Sequence, residues 1–197
     1  DTIPSNSTLL FSGDFLVDNI TVKNGISIKG GNIKIRGIWT LQGNNDISGV
    51  TFDGGNVFGR FLKLAGDNIN IHNNKFINAK ETETYLRMID INPNLSNLTV
   101  DNNVFDGLEV FDDGHIGGDI GAARAILARG GLTNCLIKNN VFRNMKGLED
   151  GDYIHVQSEQ ISTSDPLFSD GYYWSNTDVT IENNKFYDTK KSSVKLQ

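Results

Sequence analysis

The chain has 197 residues, with 18 basic against 24 acidic side chains for a net charge of −6, and a single cysteine, Cys135. The length is enough to bury a substantial core, and the mild negative charge argues against non-specific nucleic-acid binding. One cysteine builds no disulfide framework, and no apolar run is long enough to cross a membrane as a helix, so neither nucleic acid nor membrane is expected as a partner.

Residues 1–43 read as the opening coils of a repetitive structure. Ile20/Val22, Ile26/Ile28 and Ile33/Ile35 alternate with polar neighbours, a period of two that turns one face inward. Gly25, Gly30, Gly31 and Gly37 supply corners, and these thin, regular segments are expected to be structural. Ile47-Ser-Gly-Val-Thr-Phe52 then introduces, in worn form, a unit that returns four times: Asn68–Phe76, Asn97–Phe105, Asn134–Phe142 and Asp178–Phe186. Each copy alternates two apolar residues (Ile69/Ile71, Leu98/Val100, Cys135/Ile137, Val179/Ile181), then has Asn-Asn, one more residue and a phenylalanine. Asparagine tolerates the left-handed backbone of a sharp bend, so the unit predicts two short strands around a corner. Repetition of this kind means stacked units, none of which buries its own apolar face alone. Phe52, Phe76, Phe105, Phe142 and Phe186 are then expected to form one internal column, separated by 24, 29, 37 and 44 residues, the shortest being one bare coil. Cys135 falls on an inward position and reads as a small core residue.

From residue 44 onward each coil also predicts a third strand: Leu62–Leu64, Ile89–Ile91, Ile126–Ala128, Ile154–Val156 and Val194–Leu196. Strict alternation would send out three columns of side chains. One is Lys63, Asp90, Leu127, His155 and Lys195; the second is Phe61, Met88, Ala125, Tyr153 and Ser193; the third is Ala65, Asn92, Arg129, Gln157 and Gln197. The variable lengths fall at the ends of this strand, at 78–84, 107–121 and 144–150 on the way in and at 158–176 on the way out. Loops on a rigid repeat scaffold carry function, and these wall one patch from both sides.

The four Asn-Asn-Lys/Val-Phe copies, with the Ser48–Gly54 segment, resemble the right-handed, single-stranded parallel β-helix of the pectin-lyase-like superfamily. The resemblance covers nearly the whole chain as architecture, making residues 1–197 one all-β domain. It implies that the third strand and its flanking loops form a polysaccharide groove, as in phage tailspikes and capsule depolymerases. It further implies an extracellular setting, on a virion tail or secreted, and a homotrimer in the full-length protein. The fold also hosts non-catalytic adhesins, and glycan binding without cleavage stays open beside it.

Two chemistries fit the patch. In a lyase, His155 or Tyr153 is the base and Arg129 clamps a uronate carboxylate. In a hydrolase, two carboxyl groups roughly 5–9.5 Å apart do the work, with Asp90 and Asp152 preferred over the loop acids Asp112, Asp113, Asp119, Glu149, Asp150 and Glu159. Asn92, Gln157 and Arg124 are expected to bind substrate, and Tyr173 and Trp174 to stack on sugar rings. The repeat-strand column His72, Asp101, Lys138 and Glu182 alternates in sign and reads as a solvated salt-bridge ladder. Gly114–Gly121 lacks the strand, helix and Lys of a phosphate loop. No metal-ligand spacing appears; calcium fits among the loop acids without an identifiable ligand set, and no cofactor is expected. Val194–Leu196 is a third strand with inward residues, and a solenoid needs a cap over its last layer, so further coils are expected downstream. Helix is expected, if anywhere, within 107–124.

Overall fold

The computed structural model describes residues 3–81, 86–110, 123–146, 151–160, 173–189 and 192–197, and these form strands and turns without a helix. The chain winds through seven coils of three strands each. The first two coils are β1 (Thr8–Leu10), β2 (Asp14–Val17), β3 (Ile20–Val22), then β4 (Ser27–Lys29), β5 (Asn32–Ile35), β6 (Trp39–Leu41). The third is β7 (Asp46–Ser48), β8 (Thr51–Asp53), β9 (Arg60–Leu64), and the fourth β10 (Ile69–His72), β11 (Lys75–Glu81), β12 (Leu86–Ile91). The fifth is β13 (Ser96–Asp101), β14 (Val104–Val110), β15 (Ala123–Ala128), and the sixth β16 (Thr133–Lys138), β17 (Val141–Lys146), β18 (Gly151–Val156). After an antiparallel pair, β19 (Glu159–Gln160) with β20 (Tyr173–Trp174), the last coil is β21 (Thr177–Glu182), β22 (Lys185–Phe186), β23 (Ser192–Leu196).

Strands of equal rank pair in parallel, coil on coil, into three seven-stranded sheets. The molecule is a parallel β-helix. Third strands are present from the first coil, in β3 and β6, where the sequence pattern placed them only after residue 43. The bare coil is also shorter than the phenylalanine spacing suggested. Asp14 and Asn32 are bonded neighbours 18 residues apart, and Ile38 and Asn19 are 19 apart. Glycines with positive φ, Gly13, Gly30 and Gly31 among them, turn the corners there, and Phe15 and Ile33 occupy the phenylalanine register. The second strand is longer than expected: β11, β14 and β17 continue to Glu81, Val110 and Lys146, so the variable segments begin later than read. Segments 111–122, 147–150 and 161–172, with Asp112, Asp113, Asp119, Glu149 and Asp150 and any helix within 107–124, lie outside the described residues.

Asparagines set the corners. Asn73, Asn102, Asn139 and Asn183, the first of each Asn-Asn pair, have φ between 53 and 58°. A second left-handed corner opens each repeat at Asn44, Asn68, Asn97, Asn134 and Asp178. A third lies within or after the second strand at Asn78, Gly107, Asn144 and Asp188. The second asparagine of each pair is turned inward. Asn74 donates from both its backbone N and its side-chain Nδ2 to Asn103 Oδ1, Asn103 does the same to Asn140, and Asn140 to Asn184, at 2.9–3.1 Å. Each Nδ2 also caps a carbonyl: Ile47 O, Ile71 O, Val100 O and Ile137 O.

Beside this ladder the phenylalanines stack. Successive ring centroids from Phe52 through Phe76, Phe105 and Phe142 to Phe186 are 4.7–5.1 Å apart, with planes within 6–10°. The spacing matches that of neighbouring strands, about 4.8 Å, because in-register parallel pairing repeats each inward side chain at that distance. Trp39 closes the column edge-on against Phe52. Truncating one ring leaves a hole its neighbours cannot fill, so Phe105→Ala should cost roughly 3–5 kcal/mol. Asn103→Ala orphans the Asn74 N–H and the Ile71 carbonyl, at about 1–3 kcal/mol for each buried group. Urea unfolding should register both losses, and a near-neutral result for either would misplace that column.

Candidate functional site

The outer face of the third sheet is shaped by a break in alternation. In β9 the run Arg60-Phe61-Leu62-Lys63-Leu64 buries Phe61 and Leu62 in succession, leaving Arg60 and Lys63 outward. The same pattern governs β12, where Met88 and Ile89 are both fully buried between Arg87 and Asp90. The expected outward column Phe61, Met88, Ala125, Tyr153 is therefore interior: strict alternation fails where the strand bends from the second sheet into the third.

Tyr153 is the consequential correction, because it is fully buried. Its ring packs on Phe142 and Phe186. Its hydroxyl donates to the Tyr187 carbonyl at 2.6 Å and accepts from Met145 N–H at 3.2 Å. Burial pushes the phenol up to about 12 against the opposing Met145 hydrogen bond, with the negative charges of Asp188 and Asp106 adding to the rise. It stands in the core, away from the groove face.

Three outward registers remain. Arg60, Arg87, Arg124, Asp152 and Ser192 face out in one column. Lys63, Asp90, Leu127, His155 and Lys195 form the second. The third continues through the bonds Asn92 N to Leu64 O, Arg129 N to Ile91 O, Gln157 N to Ala128 O and Gln197 N to Val156 O. It carries Ala65, Asn92, Arg129, Gln157 and Gln197. Asn92, Arg129 and Gln157 are half-buried.

The face divides into two halves. Over β9 and β12 it is open, and a hollow is lined by Ile38, Arg60, Leu62, Lys63, Arg87 and Asp90. Asp90 is gripped from two sides: Arg87 Nη1 lies 3.2 Å from Oδ2, Arg129 Nε 3.2 Å from Oδ1, and Arg129 Nη2 3.5 Å from Oδ2. Over β15 and β18 the outward side chains are shielded from solvent. Arg124 is 5% exposed, Leu127 1%, Asp152 0% and His155 2%. There His155 Nδ1 lies 3.6 Å from Asp152 Oδ2, and Nε2 is 3.2 Å from Gln197 Oε1. Asp90 and Asp152 stand two strands apart, about 10 Å across the sheet, and are offset by three positions along it. The backbone of Tyr173 and Trp174 pairs with β19; their side chains lie outside the described residues.

Sequence reasoning passed over Arg60 and Arg87, yet the signal was present. Arg60-Phe-Leu, Arg87-Met-Ile and Arg124-Ala-Ile repeat an arginine before two interior residues in three successive coils. On the first sheet, His72 bonds to Asp46 at 2.9 Å and Asp101 accepts from Asn139, so these members of the expected charge ladder find partners other than each other. Cys135 is buried and its thiol is pushed up to about 12 by that burial. No family model, no curated protein and no solved structure matches the chain.

The two raised acids give a pH signature. Cys135 and Tyr153 go from 9.0 and 10.0 to about 12 on folding, so the unfolded chain releases these protons first. Stability from this source is complete below the unfolded values and falls as pH rises from about 9 towards 12. Urea midpoints should drop between about pH 8 and about pH 10.5, and Cys135→Ala and Tyr153→Phe should each flatten that slope. An unchanged slope in both variants would assign the alkaline loss elsewhere.

Proposed function

We propose that the outer face of the third sheet is a binding surface for an acidic polysaccharide. One observation carries this: four of the chain's six arginines, Arg60, Arg87, Arg124 and Arg129, lie on that face in a protein of net charge −6. The guanidinium fork matches the two oxygens of a carboxylate or sulfate, and one column carries arginine on three successive coils, at Arg60, Arg87 and Arg124. A glycan laid across the open half of the face meets Arg60 and Arg87 on successive coils with Arg129 beside them, while Arg124 is covered. The resemblance of the repeat to pectin-lyase-like β-helices and phage tailspikes supports the same sheet as the glycan face. On this reading the protein acts outside the cell, on a virion tail or after secretion, and its full-length form is a homotrimer.

Binding is favoured over cleavage because the candidate proton-transfer groups described on or near the face are engaged or covered. Asp90 has both oxygens on arginines, and Asp152, Tyr153 and His155 are buried. One contact favours cleavage as a second reading: Asp152 beside His155 Nδ1 is the arrangement that orients an imidazole as a base. Arg124, neighbouring Asp152 in register, would then neutralise a uronate carboxylate during β-elimination.

Calorimetry against polygalacturonate, dextran sulfate and neutral dextran tests the binding. The two polyanions should bind, more weakly as salt rises, and dextran should not. Arg87→Ala should remove a charge-assisted contact of about 1.5–3 kcal/mol, a tenfold to hundredfold loss. Equal affinity for neutral dextran would defeat the proposal. Growth of ultraviolet absorbance from unsaturated uronate ends, abolished in His155→Ala, would establish the second reading.

A further inference from the structure

Resting on that reading, we infer that Asp90 is a positioning residue: it holds Arg87 and Arg129 in the orientation that receives the anionic group of the ligand. The sequence alone offers Asp90 as a proton donor, and the geometry gives it other work. Its side chain is 21% exposed and stands at the centre of the open half of the face, between Lys63 on the preceding strand and Leu127 on the following one. Arg87 reaches it from three residues earlier on the same strand. Arg129 reaches back to it from the next coil, presenting Nε and Nη2 to the two oxygens. One carboxylate thus joins all three outward columns and two successive coils. Without it, the two cationic side chains lose the restraint they share, and a ligand must supply the ordering that Asp90 now supplies. With it, the two guanidinium groups are held in place before the ligand arrives.

The inference makes a prediction opposite in sign to simple charge counting. Deleting a negative charge from an anion-binding face raises affinity for an anion if charge alone matters. If Asp90 positions its arginines, deleting it lowers affinity. Asp90→Asn keeps the shape and removes the charge; Asp90→Glu keeps the charge and moves the carboxylate by one methylene. Both variants of the full chain are titrated with polygalacturonate and with dextran sulfate by calorimetry, with far-ultraviolet circular dichroism as the check on folding.

The expected result is weaker binding in both, about tenfold for Asp90→Asn, and a smaller loss for Asp90→Glu. In an Arg87→Ala/Arg129→Ala background the Asp90→Asn change should cost nothing further. In ¹⁵N spectra the Arg129 Nε–H signal should be protected from exchange in the wild type and lose that protection in Asp90→Asn. Affinity unchanged or raised in Asp90→Asn overturns the positioning role and leaves the face an anion site. If Asp90→Asn fails to fold, Asp90→Glu decides alone: weaker binding at unchanged net charge supports the role, and unchanged binding overturns it. A wild-type chain that binds neither polyanion overturns the glycan-face reading, and the positioning role with it.

Discussion

The whole structure depends on one constraint: in a parallel, in-register stack every inward side chain must accept a near-copy of itself about 4.8 Å above and below. Phenylalanine meets this by offset stacking and asparagine by an amide that donates along the axis while accepting along it. The second asparagine of each pair solves a harder problem than the first. A corner exposes backbone groups to the interior, where an unpaired N–H or C=O is costly. Asn74, Asn103 and Asn140 each donate to a carbonyl of the preceding coil and accept the N–H of the matching position in it, Val50, Asn74 and Asn103 in turn. The ladder is therefore a polar network with its members satisfied, the case in which buried polarity specifies a fold instead of weakening it.

That constraint also decides where variation is tolerated. The corner between first and second strands cannot lengthen without breaking the amide ladder, and its separation from neighbour to neighbour grows only because residues are added elsewhere. The bonded asparagines are 29, 37 and 44 residues apart in sequence yet sit at the same spacing in space. The added length enters around the third strand, beside the sheet whose outer face carries the arginines. A rigid ladder on one side and variable segments on the other are two consequences of one packing rule.

Most of the core was legible in the sequence because stacking repeats residue types, and repetition is visible without coordinates. The phenylalanine column, the asparagine corners and the interior cysteine were all read from identity at matching positions. What was not legible followed from geometry that alternation does not encode. Strict period-two reading sent Tyr153 outward, whereas two consecutive residues turn inward at the bend before each third strand. The same assumption hid Arg60 and Arg87, because they stand two positions before the strand as it was drawn. The opening coils were missed as full coils since Ile33 and Phe15 take the phenylalanine register without the Asn-Asn that announces it later. The candidate site was thus legible as a region, from insertion lengths, and less so as a set of side chains.

The arginine column is the feature least explained by folding alone. In-register pairing sets Arg60, Arg87 and Arg124 directly beside one another, and like charges opposite each other on neighbouring strands are destabilising. The first sheet avoids the arrangement, with His72, Asp101, Lys138 and Glu182 alternating in sign along one register. The third sheet instead sets arginine beside arginine, with Asp90 between two of its cations and Asp152 next to Arg124 in register. Among the described residues, Asp90 restricts how the guanidinium groups of Arg87 and Arg129 point. On the proposed reading, an anion supplied from outside meets guanidinium groups that Asp90 has already oriented.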